Sequence, residues 1–188
     1  MAENADIRSR LRLIQGGLRC TISFGSLRIV AAPENSPPFE IDALAVEEDT
    51  WLIMSAKPKI VEAEDHPIRL MTDLLEAQPK PVGSVTIRGK NPLRFMAIVH
   101  DVNRNPTWRE DWVENALIEI FRESERRKLG AIGLPLLGTQ HGNLANQRFV
   151  VLLSRVLLQA PVRHLKCLWL IAPIPINSEI IEMLKPLL

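Results

Sequence analysis

Ala131-Ile132-Gly133-Leu134-Pro135-Leu136-Leu137-Gly138-Thr139-Gln140-His141-Gly142-Asn143 decides how the rest of the chain reads. Its first half, Ala131 to Leu137, is apolar without alternation, as expected of a strand buried on both faces. Its second half is polar and carries two glycines. An amphipathic helix follows from about Ala145 to Gln159, with Phe149, Val150, Leu153, Val156 and Leu157 inward. Strand, glycine loop and helix in that order are the local signature of an open α/β sheet, whose ligands sit beyond the carboxyl ends of the strands. Gly138 and Gly142 permit positive φ, so successive N–H groups can converge on an anion, and the following helix dipole favours negative charge there. Thr139, Gln140 and Asn143 add neutral donors, and His141 can donate to a phosphate. The loop from Gly138 to Asn143 is therefore the first candidate site, with a phosphate or diphosphate as guest. The alternative is a plain strand-to-helix turn that needs two glycines.

Outward from this loop the pattern repeats. Ile41 to Val46, Phe95 to Val99 and Leu165 to Ala172 are further short apolar runs, and Trp51 to Met54 is expected to continue the sheet. A long helix is expected from about Trp108 to Lys128, with Trp112, Ala116, Leu117, Ile120 and Phe121 inward and Gly130 at its C-terminal cap. Other helices are expected from about Pro67 to Ala77 and after Ser178, which is placed to cap the last one. Ile7 to Phe24 reads as a hairpin about Gly16-Gly17, with Arg8, Arg10 and Arg12 on a solvated face, and Leu27 to Ala32 as a further strand. Strands alternating with helices predict an α/β fold with a largely parallel sheet, made mixed by the opening hairpin, and one domain over 1–188.

Composition bounds the function. The chain has 188 residues, 46% hydrophobic and 24% charged, which is ordinary for a globular protein. With 23 basic and 22 acidic side chains, the net charge of +1 gives no global field toward nucleic acid or membrane. Cys20 and Cys167 are far apart in apolar runs and the four histidines are scattered, so buried thiols are expected and neither a metal site nor a cofactor is. The stretch MAENADIRSR has no apolar signal core, and Phe149 to Ala160 is too short to span a bilayer, so a cytoplasmic location is expected. The G-x-S-x-G, G-x-x-x-x-G-K-[ST] and G-x-G-x-x-G patterns are absent. His100-Asp101, at the end of the Phe95 to Val99 strand, could supply a general base, although neighbours on a strand point to opposite sides and His100 could instead bond backbone. Trp108 and Trp112 read as core rather than as a stacking platform. Asp42, Ser55, His100 and Asp101 are secondary site candidates.

Three stretches, in order, resemble the macro domain family over roughly residues 20 to 172. Glu40-Ile41-Asp42-Ala43-Leu44-Ala45-Val46 is similar to the family's vDAIVNAAN strand, Gly83 to Val102 to its T-x-G…I-I-H-a-V segment, and Ala131 to Gly142 to its glycine loop. The resemblance implies a three-layer α/β/α sandwich around a mixed, mostly parallel sheet that binds ADP-ribose or a related nucleotide. It implies that the loop wrapping the diphosphate and distal ribose is Gly138, Thr139, Gln140, His141, Gly142. The chain departs from the family where Glu47, Glu48 and Asp49 replace the NAAN asparagines and where no glycine occurs between Gly25 and Gly83. Pro33-Glu34-Asn35-Ser36 stands where an acidic residue would read adenine. Two other uses of the resemblance remain. One is a ligand-free scaffold or homo-oligomerisation domain, as in the N-terminal domain of leucyl aminopeptidases. The other is an ADP-ribosyl or phosphoester hydrolase with Asp101, His100 or His141 as base.

Overall fold

The computed structural model describes residues 20–54, 78–160 and 162–188. The first strand of the expected hairpin, its glycine pair, the helix expected over Pro67 to Ala77 and Ser55 lie outside these residues.

Seven strands form one sheet: β1 (Thr21–Phe24), β2 (Leu27–Ala32), β3 (Ala43–Asp49), β4 (Val85–Arg88), β5 (Leu93–His100), β6 (Ala131–Pro135) and β7 (Cys167–Ile171), in the order β1-β2-β7-β6-β3-β5-β4. The central pairs are parallel and the outer pairs β1–β2 and β4–β5 antiparallel. This is the mixed, mostly parallel sheet expected. The β1–β2 hairpin turns at Gly25, which takes a left-handed φ of 55°, and the antiparallel β4–β5 pair makes the other edge mixed as well.

Among the described residues three α-helices follow the strands: α1 (Glu110–Arg126), α2 (Asn146–Gln159) and α3 (Ile176–Leu184). Val113, Leu117, Ile120, Phe149, Leu153, Val156, Ile180 and Leu184 on them share one buried cluster with Ile29, Ala43, Ala45, Phe95, Ala97, Leu134, Leu168 and Leu170 from the strands. Because successive strand residues point to opposite faces, these are the side chains of one face. Each fully buried Leu, Ile or Phe contributes about 1.5–3 kcal/mol relative to exposure, so this face drives assembly. The opposite face carries Val30, Leu44, Met96, Ile98 and Trp169, and the Trp169 indole N–H donates to the Ala32 carbonyl at 3.0 Å.

Local details differ from the sequence reading. β3 runs on through Glu47, Glu48 and Asp49, past the apolar run that announced it. Trp51 to Met54 leave the sheet. The Asp49 carboxylate accepts the N–H groups of Trp51, Ile53 and Met54, an arrangement that turns the chain away. At the end of α1 it is Lys128, not Gly130, that takes the left-handed φ, at 57°. Ser178 lies inside α3, whose N-cap is Pro175. Cys20 is buried, whereas Cys167, the first residue of the interior strand β7, is only partly so.

Candidate functional site

The sheet opens between β3 and β6. These strands pair only through Ala43↔Ile132 and Leu44↔Gly133, whereas β3 follows β5 from Ala43 to Asp49 and β6 follows β7 along its whole length. Gly133 pins the two together. A Cβ there would stand 3.0 Å from Leu44 Cδ1 and 3.2 Å from Trp169 Cε3, so a larger residue would make these side chains give way by a few tenths of an ångström. Beyond that point the two strands no longer pair, and it is at such a junction, past the carboxyl ends of the strands, that open α/β sheets hold ligands in a crevice.

Glu47 spans this crevice. Its Oε2 accepts the Gly138 N–H at 2.9 Å, and its Oε1 meets His100 Nε2. Both side chains are nearly enclosed, at 8% exposure for Glu47 and 5% for His100. A carboxylate buried this deeply needs partners for its lone pairs, and here one comes from each neighbouring strand end. The His141 ring lies edge-on to His100 with centroids 6.2 Å apart.

The glycine loop is built as follows. Gly138 takes a φ of 78° and Asn143 one of 55°. Gly142 has no positive φ, contrary to the expectation for it. Its requirement is space, since a Cβ would stand 2.7 Å from the Gly138 carbonyl oxygen and 2.8 Å from Trp108 Cγ. Trp108 reaches this position because it bridges His100 across the loop 101–107. Trp112 is core, as expected, whereas Trp108, expected to be core too, is only half-buried and packs against Gly142.

The expectation that the loop offers all its amides to an anion needs correction. The Gly138 amide is taken by Glu47, the Thr139 amide by the Leu136 carbonyl at 3.1 Å, and the Thr139 hydroxyl by the same carbonyl at 2.7 Å. Among the described residues the amides of Gln140, His141, Gly142 and Asn143 have no protein acceptor. They precede α2, which begins at Asn146, and the Leu144 N–H donates back to the Gly138 carbonyl at 2.9 Å, closing the loop.

The secondary candidates scatter. Asp42 lies at the opposite end of β3, where its Oδ2 accepts the Gly130 and Ala131 N–H groups at 2.7 and 3.0 Å. It fastens β3 to β6 and lies five residues from Glu47, about 17 Å away at strand rise. Asp101 caps its own loop, accepting the Asn103 N–H and pairing with Arg104 at 3.0 Å. His100 does reach the site, but through Glu47 rather than through backbone. Glu47 was visible in the sequence only as a departure from a motif; its partners stand 53 and 91 residues away.

The sheet order, the crevice and the glycine loop together define a macrodomain fold, and solved structures bear this out. A variant of the Oceanobacillus iheyensis macrodomain superposes with a TM-score of 0.66 and 14% identity, covering 89% of this chain and 96% of that one. The same macrodomain in a structure with ADP gives 0.66 and 13%, covering 89% and 95%. The macrodomain of Thermus aquaticus DarG gives 0.55 and 17%, covering 77% and 98%. No protein-family model matches the sequence, and no curated protein matches it. Among the described residues no helix is long and apolar enough to cross a membrane.

Proposed function

We propose that this chain is a single macro-like module that binds ADP-ribose or a related phosphorylated nucleotide through the loop 138–143, without catalysis. The observation that carries the reading is the set of acceptor-free amides from Gln140 to Asn143, at a strand-to-helix junction in the crevice of the sheet. Such amides, with a helix N-terminus behind them, stabilise an anion without any basic side chain. His141 adds a donor at the same place. Neighbours of the same fold were solved with ADP and with ADPR, which supports a nucleotide rather than free phosphate as the guest. His100 is already engaged by Glu47, which argues against its acting as a free general base.

A second reading rests on a different observation. Glu47 already places a carboxylate on the first amide of the loop, and Trp108 covers Gly142. A crevice filled by its own side chains suits a scaffold or homo-oligomerisation domain of the same fold. Calorimetry of the intact chain with ADP-ribose, ADP and AMP separates the two. The nucleotide reading expects saturable heat with ADP-ribose, reduced at least fivefold in affinity by His141→Ala. No heat at millimolar ADP-ribose, together with a dimer or larger species in light scattering, would establish the scaffold instead.

A further inference from the structure

The near-neutral charge of the whole chain conceals a strong local imbalance at the end of the sheet opposite the crevice. Arg28 near the start of β2, Arg88 at the end of β4, Lys90 in the turn after it and Arg94 near the start of β5 are all exposed there. So are Lys128, just ahead of β6, and Arg163 and Lys166, just ahead of β7. Among the described residues none of these cations has a carboxylate partner within ion-pair distance.

The carboxylates at this end are mostly committed elsewhere. Asp42 holds the Gly130 and Ala131 amides, Glu123 pairs with Arg126 and Arg127, and Glu125 holds the amides of 163–165 and the His164 ring. Glu40 and Asp42 are the exposed acids of this edge, the second of them holding the two amides.

Register places the arginines more closely. Arg88 and Arg94 are direct cross-strand partners. Arg94 pairs with Leu44, and Arg28 stands two residues before Val30, the partner of Trp169, so all three arginines share the Trp169 face of the sheet. Like charges directly opposite each other on an antiparallel pair are destabilising, and no carboxylate among the described residues offsets this pair. Arg28 lies over the Phe39 ring at 5.6 Å, which holds its guanidinium at the surface. From β2 to β4 the cations cross the width of six adjacent strands, about 24 Å at the usual strand spacing.

We infer that this edge, with Arg28, Arg88 and Arg94 on one face and Lys128, Arg163 and Lys166 in the adjoining loops, is a docking surface for the phosphate backbone of a nucleic acid. A row of unpaired cations this wide matches a run of phosphates and releases their counterions. Bound by this edge, the chain leaves the crevice, at the other end of the sheet, facing away. This inference stands independently of the nucleotide reading.

Fluorescence anisotropy of the intact chain with a labelled DNA duplex of about 20 base pairs tests it. If about four of the cations meet phosphates, affinity falls on the order of a hundredfold between about 50 and 200 mM salt. The double variant Arg88→Gln/Arg94→Gln should reduce the slope of log K against log salt by about 2 and weaken binding about tenfold at low salt. Arg122→Gln, on α1 and paired with Glu119, should change neither. Saturating ADP-ribose should leave duplex binding intact, because the two surfaces lie at opposite ends. Far-ultraviolet dichroism checks that both variants fold, which their exposed positions permit. No anisotropy change at tens of micromolar protein in low salt would overturn the inference. So would equal binding by the arginine double variant, or tighter binding to anionic lipid vesicles than to the duplex.

Discussion

Glu47 accepts the Gly138 N–H at 2.9 Å across a gap where β3 and β6 no longer pair. The contact puts a fixed negative charge where an anionic ligand would take its first amide. A like-charge pair about 4 Å apart costs about 1 kcal/mol in the fully hydrated limit, and more in an enclosed site. Glu47→Gln should therefore strengthen ADP-ribose binding about fivefold, read by calorimetry. Glu47→Ala should in addition lower stability by about 1–3 kcal/mol in urea unfolding, because it strips a buried imidazole and a buried amide of their partner. Weaker binding by both variants would show that the carboxylate assists the ligand rather than competing with it.

Gly142→Ala should destabilise the fold by about 1–3 kcal/mol, since the new methyl meets both a backbone oxygen and an indole. Trp108→Ala in the same chain should recover part of that loss, and the part caused by the Gly138 carbonyl should persist. Urea unfolding of the single and double variants measures the coupling. Full additivity would mean that the indole is not what limits the space.

Burial pushes the Glu125 carboxyl upward, but hydrogen bonds from the His164 ring and from the amides of Leu165, His164 and Arg163 together outweigh it and bring its pKa below the ordinary value of 4.5. A carboxylate with a depressed folded pKa contributes stability above its unfolded value and loses it as the pH falls through the folded one. Thermal melts should show the wild type more stable than Glu125→Gln at neutral pH. The two should converge as the pH drops below 4.5 toward the lowered folded value. A gap that persists unchanged at pH 3 would assign the effect to packing.

The central strands and the two long helices were readable from the sequence because each carries its own period. An unbroken apolar run such as Phe95 to Val99 is what a doubly covered strand requires, and α1 repeats its apolar residues at helical spacing. Where elements end was harder to see. β3 continues through Glu47, Glu48 and Asp49; Glu47 finds its partners far along the chain and Asp49 in the following turn, and no local pattern encodes that. Asp42 looked like a site residue by motif and proved to be a fastener. The glycine loop was visible through Gly138 and Gly142, but the reasons the two glycines are needed differ, backbone conformation at one and crowding by Trp108 at the other. The basic edge was hidden because its members are spread from Arg28 to Lys166 and meet only through sheet order.

The scant pairing of β3 with β6 gives the sheet the mechanics of two ribbons riveted at one end. One ribbon is β1-β2-β7-β6 and the other β3-β5-β4. The rivet is Ala43 and Leu44 against Ile132 and Gly133, reinforced by the grip of Asp42 on Gly130 and Ala131. At the free end Glu47 works as a clasp, so a single carboxylate does for the open end of the two ribbons what backbone pairing does for the riveted one.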